Sequence, residues 1–310
     1  MSRNYGAGSR DMSVAGSFLL KKSESSYGTK SELNIRWNLF CIWIRAYGIK
    51  KMENITRELV VKYGEYLRNR VISGEISAAT GQNYLSAVNR IMSLATKGKW
   101  QPIRPVADCQ IPRRKFVATE NKSNSDSKYL SALNHVTDSV KILMELQRTF
   151  GLRFRESVLL DTHKALKEAT KNGEIHIIRG TKGGRKRTVP VDSFGITVLE
   201  SAAAGQTDYT FIPTGVSYKE FRSQCYEESK LSGINFHSNR HHYTHRRYKE
   251  ITGAPCPVEN GWKGRGRIPK LAEYLSISIE EAKNLDHDAR LIIASELGHN
   301  RVEVTGAYVG

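Results

Sequence analysis

The sequence predicts a mainly α protein with one small antiparallel sheet, an α+β chain built as two domains. Three observations carry that expectation. Apolar residues recur at three- and four-residue spacing between about 30 and 100, the period of an amphipathic helix. The stretch 101–128 holds three of the eight prolines and then runs polar from Ala118 to Lys128, which reads as a break between domains. Beyond it, two β-prone segments flank a glycine-rich turn in a background that is otherwise helical. At 310 residues the chain has length for two separate cores.

Residues 1–27 are rich in Gly and Ser and carry Arg3, Arg10, Lys21 and Lys22. They offer little to a core and are expected to form a flexible basic arm. The first domain is expected over 28–105. Leu33, Trp37, Phe40, Ile44 and Tyr47 mark its first helix; a second starts after Thr56, buries Leu59, Tyr63, Leu67 and Val71, and ends at Gly74. A third begins near Ser77 and runs through Leu85, Val88 and Met92 to Ala95. A linker follows over 106–128, and the second domain occupies 129–310. Its opening helix stops at Phe150-Gly151, where Gly suits a left-handed cap, and another helix runs from Arg153 through Leu160. Glu174-Ile-His-Ile-Ile alternates, Gly180-Thr-Lys-Gly-Gly turns, and Arg187-Thr-Val-Pro-Val returns, a hairpin. Between about 250 and 285 lies an apparent insertion. It holds a basic Gly-rich loop with Trp262, a helix from Pro269, and the capping box Ser278 with Glu281.

Lys and Arg number 48 against 31 Asp and Glu, a net charge of +17. That excess points to a polyanionic partner, nucleic acid before a membrane surface. Cys41, Cys109, Cys225 and Cys256 are scattered with no Cys-x-x-Cys pair, and read as reduced thiols of a cytoplasmic, nucleoid-associated protein. No run approaches the roughly 20 apolar residues of a membrane span.

Chemistry-bearing residues are concentrated in the second domain. Gly151-Leu-Arg-Phe-Arg-Glu sets Arg153 one turn before Glu156, whose carboxylate can orient the guanidinium. Lys182 stands in the hairpin turn, eight residues before Pro190; Arg185 and Lys186 compete with it, and these two with Arg187 could also grip backbone phosphates. His237-Ser-Asn-Arg240 is followed directly by His241. His237, His241 and His245 share a face if the segment is helical. With no Glu beside the first His and no carboxylate at ligand spacing, no metal is expected there. Last, Leu297-Gly-His299 precedes Tyr308 by nine residues.

The ordered series Arg153, Lys182, His237, Arg240, His299, Tyr308 resembles the catalytic set of the tyrosine recombinase (phage integrase) family. The resemblance covers about 125–310 well and 30–100 loosely. It implies a helical core-binding domain plus a catalytic domain, closing as a C-shaped clamp on DNA. The residue types suit the reaction. Two guanidiniums, Arg153 and Arg240, can bind non-bridging phosphate oxygens while staying protonated, and His299 can add a hydrogen bond. Tyr308 attacks phosphorus, His237 takes its proton, and Lys182 protonates the leaving 5′-oxygen. A 3′-phosphotyrosine conserves the bond energy, so neither cofactor nor metal is expected.

The resemblance further implies a site-specific recombinase of a mobile element acting on double-stranded attachment sites as a homotetramer, with an accessory directionality factor as a candidate partner. Arg185, Lys186, Arg187, Lys263, Arg265 and Arg267 are candidate DNA contacts. Two alternatives share the fold: a type IB-like topoisomerase and a non-catalytic DNA-binding regulator. Three features depart from the family pattern. Ser238 and Asn239 replace its usual Asp-Leu, 58 residues separate Arg240 from His299, and only Val309 and Gly310 follow Tyr308, where many members carry a further helix. The inserted helix with Leu271, Tyr274 and Leu275 is therefore expected to meet a partner protomer.

Overall fold

The computed structural model describes residues 3–310, and the chain divides after Lys115 into two units, each with its own core. The first contains α1 (Met12–Lys22), α2 (Tyr27–Arg45), α3 (Arg57–Ile72) and α4 (Ala78–Ala95). Asp11, Ser26, Thr56 and Ser77 seal the four helix starts by accepting from backbone N–H groups of the first turn. Trp37, Phe40, Ile44, Tyr63, Leu67, Leu85, Val88 and Met92 are buried, the faces that the apolar spacing marks.

The expected flexible arm is corrected. Its residues form a 3-10 turn at Asn4–Gly6 and then α1, whose Met12, Ala15 and Leu20 enter the core. Gly16 explains why. A Cβ there would lie 2.1 Å from the Trp37 ring nitrogen, so only glycine lets α1 close on that indole. The same nitrogen donates to the Met12 carbonyl at 3.1 Å. Glycine that reads as looseness is here a packing contact. The expected linker of 106–128 contains the division after Lys115 and is corrected only at its start. Cys109 and Ile111 are buried in the first core, and Cys109 lies against Gly64, where a Cβ would approach its sulfur to 2.2 Å.

The second unit contains α5 (Asp126–Leu133), α6 (Asp138–Phe150), α7 (Phe154–Leu159), α8 (Thr162–Asn172), β1 (Glu174–Ile177) and β2 (Arg187–Pro190). It continues with α9 (Ser193–Ala204), α10 (Tyr218–Leu231), α11 (Phe236–Thr252), α12 (Arg267–Leu275), α13 (Ile279–Glu296) and α14 (Gly306–Val309). The strands pair antiparallel, Glu174 opposite Pro190 and Ile177 opposite Arg187, as the alternation predicts. Gly151 caps α6 at φ 63°. α11 packs against α6, α13 and α14, which makes it the spine of this unit.

Within the insertion, α12 and the start of α13 enclose a small core of Ala254, Leu271, Ala272 and Ala282. This corrects the expected partner surface: Leu271 is 1% exposed and covers the protomer's own interior, with Leu275 packed beside it. Of the three residues singled out, only Tyr274 is exposed, its ring 5.8 Å from that of Trp262. Among the described residues no helix is long and apolar enough to cross a membrane.

Candidate active site

Three guanidiniums converge on one buried carboxylate. Arg153 is the N-cap of α7; its backbone N–H and Nη1 donate to Glu156 at 2.7 and 2.8 Å. Arg187, at the start of β2, grips the same carboxylate with a two-point fork at 2.8 and 2.7 Å. Arg240 of α11 places Nη1 3.9 Å away. Burial resists the Glu156 charge, but the bonds and charges of Arg187 and then Arg153 prevail, holding the carboxyl down at about 2. Three cations around one anion leave two positive charges unbalanced in a confined space. That is a site prepared for a second anion.

Arg187 is thereby corrected. It was a candidate DNA contact, but its side chain is buried, and its Nε donates to the Glu296 carbonyl at 2.6 Å. A signal existed in the sequence: in a strand of period two, Arg187 shares its face with the core residue Val189. Gly298, at φ 67°, lies close over it; a Cβ there would come within 3.1 Å of the Arg187 side chain.

The two remaining arginines share an anchor. The Leu297 carbonyl, at the C-terminal end of α13, accepts from Arg240 Nη2 at 2.6 Å and from Arg153 Nη2 at 3.3 Å. Arg240 Nη1 also donates to the Gly151 carbonyl. Burial draws the Arg240 guanidinium down to about 10, still protonated at neutral pH. Its Nε donates to the Tyr308 hydroxyl at 3.3 Å. Arg240 thus ties α11 to the turn after α6, to the end of α13 and to α14.

Imidazoles line the Tyr308 ring. The His241, His237 and His299 ring centroids lie 4.7, 5.7 and 5.8 Å from it. Desolvation by the surrounding protein, followed by the charges of Arg240, Arg153 and Lys122, presses His237 down to about 4. His299 is lowered to about 3 by desolvation and by Arg240, Arg153, Arg187 and Lys182. Both rings are thereby pushed towards the neutral form, in which His237 has a lone pair to offer. His299 Nε2 lies 3.4 Å from Arg240 Nη2. A guanidinium only donates, so the neutral ring keeps its proton on Nδ1, a buried atom with no partner among the described residues and therefore free to donate.

Lys182 stands exposed on the 3-10 turn of the hairpin, near enough for its charge to act on His299. Arg185 and Lys186 are exposed beside it, as are Lys263 and Arg265 in the inserted loop. Arg267 departs from this group, since it leans on Asp286 at 3.5 Å. Lys122, which no motif marks, acts on both His237 and His241. Two other tyrosines of α11 are occupied: Tyr243 donates to Glu296 and Tyr248 to Asp286, each at 2.7 Å.

Residues 113–215 match the family model described as Integrase. A structure of a lambda integrase dimer bound to a COC′ core site aligns at TM-score 0.59 and 15% identity, covering 96% of this chain and 76% of that one. XerH site-specific recombinase bound to palindromic difH substrate, a post-cleavage complex, aligns at 0.54 and 14%, covering 96% and 81%. The chain has the fold of the tyrosine recombinases. The recombinase resemblance carried by the motifs therefore stands. A lambda integrase tetramer bound to a Holliday junction aligns at 0.51 and 14%, covering 83% of this chain and 74% of that one. Comparison with curated proteins gives no match.

Proposed function

We propose that the chain is a site-specific recombinase of a mobile element, integrating and excising DNA by cutting and rejoining strands through a 3′-phosphotyrosine at Tyr308. The observation that carries this reading is the Tyr308 hydroxyl held by Arg240 among neutral imidazoles, beside two uncompensated positive charges. Tyr308 oxygen bonds to phosphorus as the 5′-oxygen departs, His237 accepts the phenolic proton, and Lys182 supplies one to the leaving oxygen. Arg153, Arg240 and the His299 Nδ1–H stabilise the charge that grows on the non-bridging oxygens. Rejoining runs the same steps backwards with a new 5′-hydroxyl.

The partners proposed are double-stranded attachment sites and three further protomers, since two duplexes present four strands to cut. Like-folded neighbours on a core site and on a Holliday junction support this. A nicked attachment-site duplex, which loses its 5′ fragment after cleavage, should trap one denaturant-resistant adduct per active chain. Absence of adduct on every candidate site would favour the non-catalytic regulator. Cleavage that relaxes supercoils but never joins two sites would favour the topoisomerase.

Lys182→Ala should slow cleavage by about 10²- to 10⁴-fold, the usual contribution of a positioned acid. A substrate with sulfur at the 5′-bridging position should recover most of that loss, because a thiolate leaves without a proton. Equal defects on both substrates would take Lys182 out of the acid role and turn attention to Lys186.

Affinity should also fall steeply with salt. A clamp neutralising on the order of six to ten phosphates loses ~10³- to 10⁵-fold in affinity between 50 and 200 mM salt. A flat response in a filter-binding series would show that the +17 charge is not what engages DNA.

A further inference from the structure

Directly behind Tyr308 lies a cluster that the recombination chemistry does not use. His245 of α11, Cys256 and Glu259 bring a ring nitrogen, a sulfur and a carboxylate oxygen within 4.8 Å of one another. His245 and Cys256 are buried, at 3% and 0% exposure. Their hydrogen bonding fixes the histidine tautomer. His245 Nε2 lies 2.9 Å from the Tyr308 carbonyl oxygen, which can only accept, so Nε2 carries the proton. In the neutral ring Nδ1 then presents a lone pair, 3.2 Å from Glu259 Oε1. This buried Nδ1 has no hydrogen-bond partner among the described residues. The other Glu259 oxygen accepts from the Cys256 thiol at 3.3 Å. A buried ring nitrogen left without a donor, beside a carboxylate and a thiol, is an open position for a cation.

We propose that His245 Nδ1, Cys256 Sγ and a Glu259 carboxylate oxygen form a binding site for one zinc ion, which clips the Tyr308 segment to α11. The donor set of one nitrogen, one sulfur and one oxygen is that of a borderline cation. Zinc bonds of about 2.0–2.3 Å in a tetrahedron put neighbouring ligand atoms roughly 3.3–3.8 Å apart, so the three donors, within 4.8 Å of one another, would draw in slightly on binding. On binding, the Cys256 proton leaves to solvent, and thiolate plus carboxylate balance the two charges of the ion. Water completes the fourth position.

The outer contacts match what a metal-bound histidine needs. His245 donates its other ring N–H to a backbone carbonyl, which fixes the tautomer and orients the ring. That carbonyl belongs to Tyr308. The loop bearing the other two ligands holds the next residue, with Val258 N–H donating to the Val309 carbonyl at 2.9 Å. The ion would therefore join α11 to the 256–259 loop, and each of these hydrogen-bonds the backbone of α14 at or beside the residue proposed as nucleophile. Zinc binding itself is independent of that proposal; only its consequence for cleavage rests on it.

The full chain, made metal-free by chelator dialysis under reducing conditions, should be titrated with Co²⁺. One equivalent should give tetrahedral ligand-field bands and a thiolate-to-cobalt charge-transfer band, both abolished when Zn²⁺ displaces the cobalt. Cys256→Ser should lose the charge-transfer band, and Glu259→Gln should keep it while weakening Zn²⁺ binding at least about tenfold. Zn²⁺ should raise the Tm of the unsubstituted chain and leave that of Cys256→Ser unchanged. No charge-transfer band at one equivalent, or a band surviving Cys256→Ser, would overturn the site. So would nitrogen NMR showing a proton on His245 Nδ1 that Zn²⁺ does not displace, since an imidazolium would then be the cation beside Glu259. None of these readouts involves DNA, so failure of the recombinase reading and failure of the zinc site are separately visible.

Discussion

Tyr308→Phe should bind DNA with unchanged affinity and form no covalent adduct, a loss of cleavage on the order of 10⁴-fold or more, as for other nucleophile deletions. The expectation follows from how little the substitution removes. The ring remains packed among His237, His241 and His299, and α14 keeps the bond from His245 to the Tyr308 carbonyl. Arg240 gives up one weak donation at 3.3 Å but retains the Leu297 and Gly151 carbonyls. Denaturing gels of the reaction on nicked duplex provide the measurement. An adduct that persists would displace Tyr308 from the role. It would not easily pass to Tyr243 or Tyr248, because each hydroxyl already donates to a buried carboxylate. Burial and the adjoining Glu296 charge hold the Tyr243 phenol well above its ordinary range; burial and Asp286 do the same for Tyr248. Neither ionises readily.

Much of the fold was legible because its signals are local. Thr56, Ser77 and Ser278 cap helices that begin one residue later, and Gly151 takes the left-handed conformation that its place after Phe150 suggests. The hairpin follows from period-two alternation on both sides of a glycine turn. What escaped depends on contacts distant in sequence. The Gly- and Ser-rich start looks loose until Trp37, on another helix, needs the space that Gly16 leaves. Cys109 and Ile111 look like linker until Gly64 receives the thiol.

The candidate site divides in the same way. Arg153, Lys182, His237, Arg240, His299 and Tyr308 announce themselves by order and residue type. The structure gathers Arg153, His237, Arg240 and His299 around Tyr308, and leaves Lys182 on the exposed turn nearby. Arg187 was hidden by its basic neighbours Arg185 and Lys186, since net charge does not show which residue of a strand turns inward. The His245, Cys256 and Glu259 cluster was hidden by chain distance, with a helix end and a loop lying between its members.

Glu156 should prove the most costly position in the second unit. Glu156→Gln removes the one anion that Arg153, Arg187 and Arg240 share, leaving three guanidiniums in mutual repulsion around a buried amide. Breaking a buried pair in this way costs about 3–5 kcal/mol. For a unit of this size that corresponds to a fall of roughly 6–20 °C in Tm. The pH dependence has a definite sign. The folded carboxyl is depressed from an ordinary 4.5 to about 2, so its stabilisation is fully present above 4.5 and is lost as pH falls through about 2. At roughly 1.4 kcal/mol per unit, about 3 kcal/mol of acid-labile stability should vanish from the variant. Melts between pH 2 and 7 would show it: the two curves should converge in acid and separate towards neutrality. Parallel curves would mean that Glu156 is not the titrating support. The double variant Glu156→Gln with Arg187→Met should recover much of the loss, because it removes a cation along with its anion and leaves an apolar side chain of similar length. Cleavage separates the two roles of this carboxylate. At a temperature where the double variant is fully folded, DNA binding should persist while the cleavage rate stays low, because Arg153 no longer has the carboxylate that holds it in the place proposed for binding the phosphate.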